Sequence, residues 1–190
     1  MQRILSILAL AVILPTTAMA QHPQTRNGFG ISFGIGAGTA GPSCDGCTQP
    51  SGTEPSGYLR LGGYVTPALF VGGETNGWAT ATIFGSSASI GALMGVVQWY
   101  PAVTAGMYLK GGLGYSYVNV YEAADLTASG FGVSIGAGYD WRVARNFALT
   151  PYINYLQQFG GSYTYGSGGG DAGIDANVHL FQFGLGFTWF

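Results

Sequence analysis

From Phe29 to Ala37 every odd position is apolar (Phe, Ile, Phe, Ile, Ala), while even positions from Gly30 to Gly38 hold only Gly and Ser. A period of two marks a β-strand with two unlike faces. In a half-buried soluble strand the second face meets water and carries Lys, Glu, Asp or Thr. Here that face is almost bare. The pattern returns over Phe131–Tyr139 and Phe181–Trp189. It predicts strands whose apolar face meets lipid and whose small face lines a narrow, crowded lumen.

Eight such strands are expected, at 29–39, 57–66, 69–79, 89–100, 106–119, 130–142, 147–158 and 177–189. Each is close to the ~9–11 residues that a tilted strand needs to cross a bilayer. Their connections alternate. Short ones fall at 67–68, 101–105 and 143–146, and long ones at 40–56, 80–88, 120–129 and 159–176. Short turns at one end and long loops at the other predict an all-β fold, an eight-stranded antiparallel up-and-down transmembrane β-barrel. An even strand number puts both termini at the short-turn, periplasmic end. The Gly/Ser-rich run Gly160–Gly173 is expected to be a flexible loop tip.

Parity assigns facing. Leu59, Leu61, Val65, Leu69 and Val71 are expected outside, as are Leu109, Leu113, Tyr115, Val133, Ile135 and Trp141. So are Leu149, Ile153, Tyr155, Phe183, Leu185, Phe187 and Trp189. The strand at 89–100 is apolar on both faces and its facing stays open. Aromatics gather at strand ends: Tyr64, Trp99, Tyr100, Tyr139, Trp141 and Trp189 at one end, Trp78, Tyr117, Tyr121 and Phe159 at the other. These are expected to form two headgroup belts.

Most strand charges share parity with the small residues. Arg60, Glu74, Lys110, Asp140 and Arg142 are therefore expected inside, together with Asn154 and Gln182. A hairpin folded about residue 67 puts Arg60 opposite Glu74, and one folded about residue 125 puts Lys110 opposite Asp140. Pairing makes such desolvated charges tolerable. Two readings are open for them: plugging and orienting the lumen, or forming a charge-gated pore or ligand site. An eight-stranded barrel has an interior just wide enough for side chains.

Composition narrows the class. Charged residues are 7% of the chain, against roughly 25% in soluble domains, so water is not expected to be its only solvent. The 34 glycines in 190 residues are far above the ~7% norm. Residues 1–20 read as a secretory signal: Arg3, an apolar stretch Ile4–Leu14, and Ala18-Met19-Ala20 before the cleavage point. That leaves 21–190 as one barrel domain. Losing Arg3 leaves five basic against eight acidic residues, a net charge of −3. This balance argues against nucleic acid as a partner. No later apolar run approaches the ~18 residues of a spanning helix, and in a bilayer a closed sheet is the remaining way to pair every backbone group.

Gly-Gly-Leu-Gly-Tyr at 111–115, Gly-Ala-Gly-Tyr-Asp at 136–140 and the final Gly-Leu-Gly-Phe-Thr-Trp-Phe give the chain a pattern that resembles the small outer-membrane barrels of the OmpA, OmpX and OmpW type. The resemblance covers the whole mature chain. It implies an integral barrel in the outer membrane of a Gram-negative-type envelope, embedded in lipid and lipopolysaccharide. It also implies a C-terminal signal read by the barrel-insertion machinery. Phe190 fits that signal, yet the apolar rank before it ends on Trp189.

Candidate chemistry is sparse. Cys44-Asp45-Gly46-Cys47 holds both cysteines and reads as a local disulfide pinning an outer loop, with redox or metal roles as the alternatives. Zinc lacks ligands here, and no cofactor or metal is expected. Lipid A-modifying barrels need a Ser–His pair with an orienting acid; His179-Leu180-Phe181 lacks the serine, and His22 lies in the N-terminal tail. The expected protein is thus non-catalytic, with a structural or surface-interacting role through loops 40–56 and 159–176. The alternatives are a narrow channel for small solutes, a lipid A-modifying enzyme and a soluble periplasmic carrier.

Overall fold

A computed structural model describes residues 26–42, 53–80, 87–121, 126–165, 170–175 and 177–190. The expected leader 1–20 and the Cys44–Cys47 pair lie outside the described residues. The strands are β1 (Gly28–Pro42), β2 (Glu54–Thr66), β3 (Leu69–Ala79), β4 (Ser87–Trp99), β5 (Met107–Tyr121), β6 (Leu126–Tyr139), β7 (Trp141–Ala144), β8 (Phe147–Phe159), β9 (Ser162–Tyr165), β10 (Asp171–Asp175) and β11 (Val178–Trp189). Neighbours from β1 to β6 pair antiparallel; β6 pairs β8, β8 pairs β11, and β11 returns to β1. The result is a closed wall of eight long strands with no open edge around it. β7 continues the line of β6 beyond Asp140 and stays paired to β8 at Trp141↔Leu149.

The alternation of the sequence becomes two faces of this wall. Phe29, Ile35, Val65, Leu93, Leu113 and Ile135 stand on the outside, each at least 59% exposed. Ser32, Arg60, Glu74, Lys110, Asp140 and Arg142 turn inward and are buried. β4 resolves in the same way, with Leu93, Val97 and Trp99 outside and Ile90, Ala92, Met94 and Val96 inside. The long-loop half of the interior is apolar, where Trp78, Ile90, Val118, Leu156 and Leu180 pack together. The short-turn half is filled by tyrosines and charges. The small face of β1 has a steric cause: a Cβ on Gly36 would overlap the Phe183 carbonyl and the Cα of Gly184 across the β1–β11 pair.

Three expectations need correction. Trp78, Tyr64 and Tyr100 do not join headgroup belts, because their parity carries them inside: Trp78 is 5% exposed and Tyr100 1%. The indole N–H of Trp78 donates to the Gly38 carbonyl at 2.9 Å, while Tyr64 packs edge-on against Phe70 and tilted against Phe190. Trp99, Trp141 and Trp189 do stand outside. Lys110 does not face Asp140; it lies opposite Gly136, because β5 and β6 run longer than expected and fold about an earlier point. The segment from Gly160 is not simply a loop. Gly160 and Gly161 take positive φ of 71° and 92°, a region glycine enters without a Cβ penalty, and turn the chain back so that β9 pairs with β6 at Thr127↔Thr164. β10 then pairs with β9. Finally, the two last residues divide. Trp189 stands outside beside Phe33 and Phe147, whereas Phe190 packs near Tyr64 with the Arg142 guanidinium 4.5 Å above its ring.

Candidate functional site

The inward-facing polar side chains converge on two carboxylates. Glu74 on β3 is held by the strand pairing directly opposite Arg60 on β2. The Arg60 Nε–H donates to Glu74 Oε2 at 2.7 Å. The Lys110 ammonium reaches across from β5 to Glu74 Oε1, and the Asn76 amide donates to the same oxygen at 2.9 Å. Asn154 on β8 then donates to Asn76 Oδ1 at 3.2 Å and to Gln182 Oε1 at 2.9 Å, and Gln182 donates to the Gly77 carbonyl at 3.3 Å. Every strand carrying these groups presents them on the same inward rank, so the network spans β2, β3, β5, β8 and β11. One carboxylate with two cations and an amide leaves its lone pairs satisfied, which a buried charge requires.

The second carboxylate, Asp140, lies at the break between β6 and β7. Its backbone N–H donates to the Gly106 carbonyl at 2.9 Å. Its oxygens accept from the Tyr100 hydroxyl and the Thr150 hydroxyl, both at 2.9 Å. Hydroxyls continue the chain from Thr150 to Thr188, from Thr188 to Ser32 and from Ser32 to Tyr58, each step at 2.9 Å. The Arg60 guanidinium sits 4.6 Å over the Tyr58 ring, so the two networks meet there. Aromatic faces of this kind stabilise a desolvated cation by about 2 kcal/mol or more.

A residue that the sequence reading passed over seals the short-turn end. Arg26, just before β1, is wholly buried. Its guanidinium lies 3.7 Å over the Tyr100 ring. It donates to the carbonyls of Ala105 at 2.7 Å and Val103 at 3.3 Å, and its Nε stands 3.9 Å from Asp140 Oδ2. Its position outside any strand hid it from parity. The signal was simply a basic residue next to the first strand in a chain with very few.

The arrangement is a filled, cross-linked interior. The described charged groups inside are four cations (Arg26, Arg60, Lys110, Arg142) and two carboxylates (Glu74, Asp140), an excess of two positive charges. His179 is on the outside of the wall stacked on Tyr155, while Ser116 and Ser134 are buried within the barrel. The wall therefore separates the histidine from both serines. Among the described residues no group of three or more His, Cys, Asp or Glu could hold a metal ion.

No protein-family model matches this chain, and no curated protein matches it. Solved structures do. Neisserial surface protein A superposes with a TM-score of 0.61 at 12% identity, covering 87% of this chain and 98% of that one. Ail, the attachment invasion locus protein of Yersinia pestis, gives 0.57 at 14% identity, covering 87% and 100%. The outer membrane protein OprG of Pseudomonas aeruginosa gives 0.52 at 14%, covering 88% and 99%. At these identities the likeness is one of fold. The chain has the closed antiparallel eight-stranded barrel of the small outer-membrane proteins.

Proposed function

We propose that this chain is an integral outer-membrane barrel of a Gram-negative-type envelope that does no chemistry and works through the surface it presents at its long-loop end. The observation that carries this reading is the two-faced wall: a continuous outer band of Phe, Leu, Ile, Val and Trp around an interior that holds all the described buried ions, paired and hydrogen-bonded, beside an apolar cluster. Such a surface would drive association in water but suits hydrocarbon. The test is envelope fractionation with electrophoresis of unheated and boiled samples. Recovery in the outer-membrane fraction, with mobility that changes on boiling, supports the reading; recovery in the aqueous fraction without detergent overturns it.

Loop chemistry limits the partner. The connections 40–56, 80–88, 120–129 and 159–176 contain no Lys or Arg. Ail has been solved in complex with the heparin analogue sucrose octasulfate; a polyanion of that kind finds no basic group in these loops. Neutral or basic partners fit the acids and hydroxyls they carry. At the other end, outward-facing Trp189 suits the end signal read by insertion machinery better than Phe190, whose ring packs under the barrel.

A second reading, a narrow channel, draws on the excess of positive charge inside. It requires the Glu74 network to part. Planar-bilayer recording tests it: anion-selective steps altered by Lys110→Ala favour a channel, and silence favours a plug.

A further inference from the structure

Asparagine followed by glycine occurs twice in the chain, at Asn27-Gly28 and Asn76-Gly77. The pair has a chemistry of its own. The glycine backbone nitrogen gives up its proton to base and attacks the carboxamide carbon of the asparagine side chain. A carbon–nitrogen bond forms there and the bond to the amide nitrogen breaks. That nitrogen takes a proton from water and leaves as ammonia. The succinimide ring left behind then adds water at one of its two carbonyls. Opening at the side-chain carbonyl gives aspartate. Opening at the main-chain carbonyl gives isoaspartate, in which the main chain runs through the side-chain carbons. A bulky residue after the asparagine crowds the attacking nitrogen. The other described asparagines, Asn119, Asn146, Asn154 and Asn177, precede Val, Phe, Tyr and Val.

The fold treats the two Asn-Gly sites in opposite ways. Asn76 is buried in β3, paired between Tyr58 and Ala92. Its amide nitrogen donates to Glu74 Oε1 at 2.9 Å, and its Oδ1 accepts from Asn154 at 3.2 Å. Ring closure there has to break both contacts and lift Gly77 from the sheet, so it waits for the strand to open. Asn27 stands just before β1, outside the ladder that starts at Gly28↔Tyr64. It is exposed, and among the described residues its carboxamide has no hydrogen-bond partner. Gly28 takes a φ of 79°, a region that glycine enters without a Cβ penalty. Nothing lies within 4 Å of the place a Cβ would occupy on it. The backbone asks for glycine at 28, and the reactive pair comes with it.

Asn27 is also the single residue between Arg26 and β1. On one side the Arg26 guanidinium lies over Tyr100 and donates to the carbonyls of Val103 and Ala105. On the other side Gly28 is set against Tyr64. An isoaspartate at 27 adds one carbon to a link held at both ends. Either product also places a carboxylate beside Arg26 in the chain, where it competes with Asp140 for the guanidinium.

We propose that Asn27 is a site of spontaneous deamidation, and that its conversion loosens the Arg26 seal at the short-turn end. The reaction needs only water and base, so it is independent of what the long loops contact. The test ages the full chain, folded in dimyristoylphosphatidylcholine nanodiscs at mildly alkaline pH, beside the same chain in urea. Peptide mass spectrometry reads the amide-to-acid change at each asparagine. In the barrel Asn27 is expected to convert about tenfold or more faster than Asn76, whereas in urea the two convert at comparable rates. Asn27→Gln, whose longer side chain disfavours the ring, is expected to stay unchanged. A barrel carrying Thr150→Cys then reads the seal. Ageing is expected to cost that cysteine its protection from a membrane-impermeant maleimide, and adding Asn27→Gln is expected to preserve it. An unchanged Asn27 in the barrel, with both sites converting in urea, would overturn the assignment. So would Asn76 keeping pace with Asn27 in a barrel whose mobility still changes on boiling. Conversion of Asn27 with the cysteine still protected would overturn its effect on the seal.

Discussion

Lys110 closes on Glu74 from across the barrel and leaves Asp140 to Tyr100, Thr150 and Arg26. One carboxylate thus serves two cations from β2 and β5, and its removal is not equivalent to removal of either partner. Glu74→Gln strands both Arg60 and Lys110 in the interior, and uncompensated buried charge costs about 3–5 kcal/mol. Lys110→Met leaves the Arg60–Glu74 pair intact and is expected to cost clearly less. Urea unfolding of the barrel in lipid vesicles measures both. Equal losses would show that Lys110 contributes as much as the directly opposed pair.

Arg26 acts at the entrance. With its side chain gone, Tyr100 loses the cation on its face and the carbonyls of Val103 and Ala105 lose their donor. Arg26→Ala is expected to admit water at the short-turn end. The readout is a cysteine placed at Thr150, a fully buried position. A membrane-impermeant maleimide should leave it unlabelled with Arg26 present and label it in the Arg26→Ala background. Labelling at the same rate in both would dismiss Arg26 as the seal.

Parity carried most of the architecture. Residue spacing of two separates lipid-facing from inward positions on every long strand, because neither face tolerates the other's chemistry. The two-residue turn at Pro67–Ala68 leaves little freedom of register, so arithmetic from residue numbers lands on the Arg60↔Glu74 pairing. The connection after β5 has no such turn signature, and the same arithmetic misplaced Lys110 against Asp140. Trp78 was misread by giving its place near a strand end more weight than its even number, which it shares with Glu74 and Asn76. β9 hid inside a glycine-rich run, although Ser162-Tyr163-Thr164-Tyr165 itself alternates. Contacts between distant strands, such as Asn154 on β8 with Asn76 on β3, follow from barrel closure and have no local trace in the sequence.

Glycines of the two faces should respond differently to one added methyl. Gly36→Ala forces a Cβ into the Phe183 carbonyl, and overpacking of that kind costs about 1–3 kcal/mol. Gly77→Ala meets open space, so its cost is expected within about 0.5 kcal/mol, the range of ordinary surface changes. The boiling temperature at which mobility changes on a gel ranks the two. Comparable shifts would mean that the backbones of β1 and β11 relax apart more readily than their close approach implies.

The four tryptophans offer a direct reading of which way the wall faces. Trp99, Trp141 and Trp189 are 51%, 45% and 40% exposed on the outer surface, whereas Trp78 is 5% exposed and donates to Gly38 inside the barrel. Bromine on a lipid acyl chain quenches an indole only at close range. Four variants that each keep one tryptophan, the others being replaced by Phe, isolate the positions. In vesicles of brominated phosphatidylcholine, the variants keeping Trp99, Trp141 or Trp189 are expected to lose emission. The variant keeping Trp78 is expected to hold nearly all of its emission, since the wall itself stands between indole and lipid. Replacing Trp78 also removes its hydrogen bond to the Gly38 carbonyl, at a cost of about 0.5–1.5 kcal/mol, so the three variants without it should unfold at lower urea than the one that keeps it. Strong quenching of Trp78 would place that face of β3 against hydrocarbon and invert the inside and outside of the whole barrel.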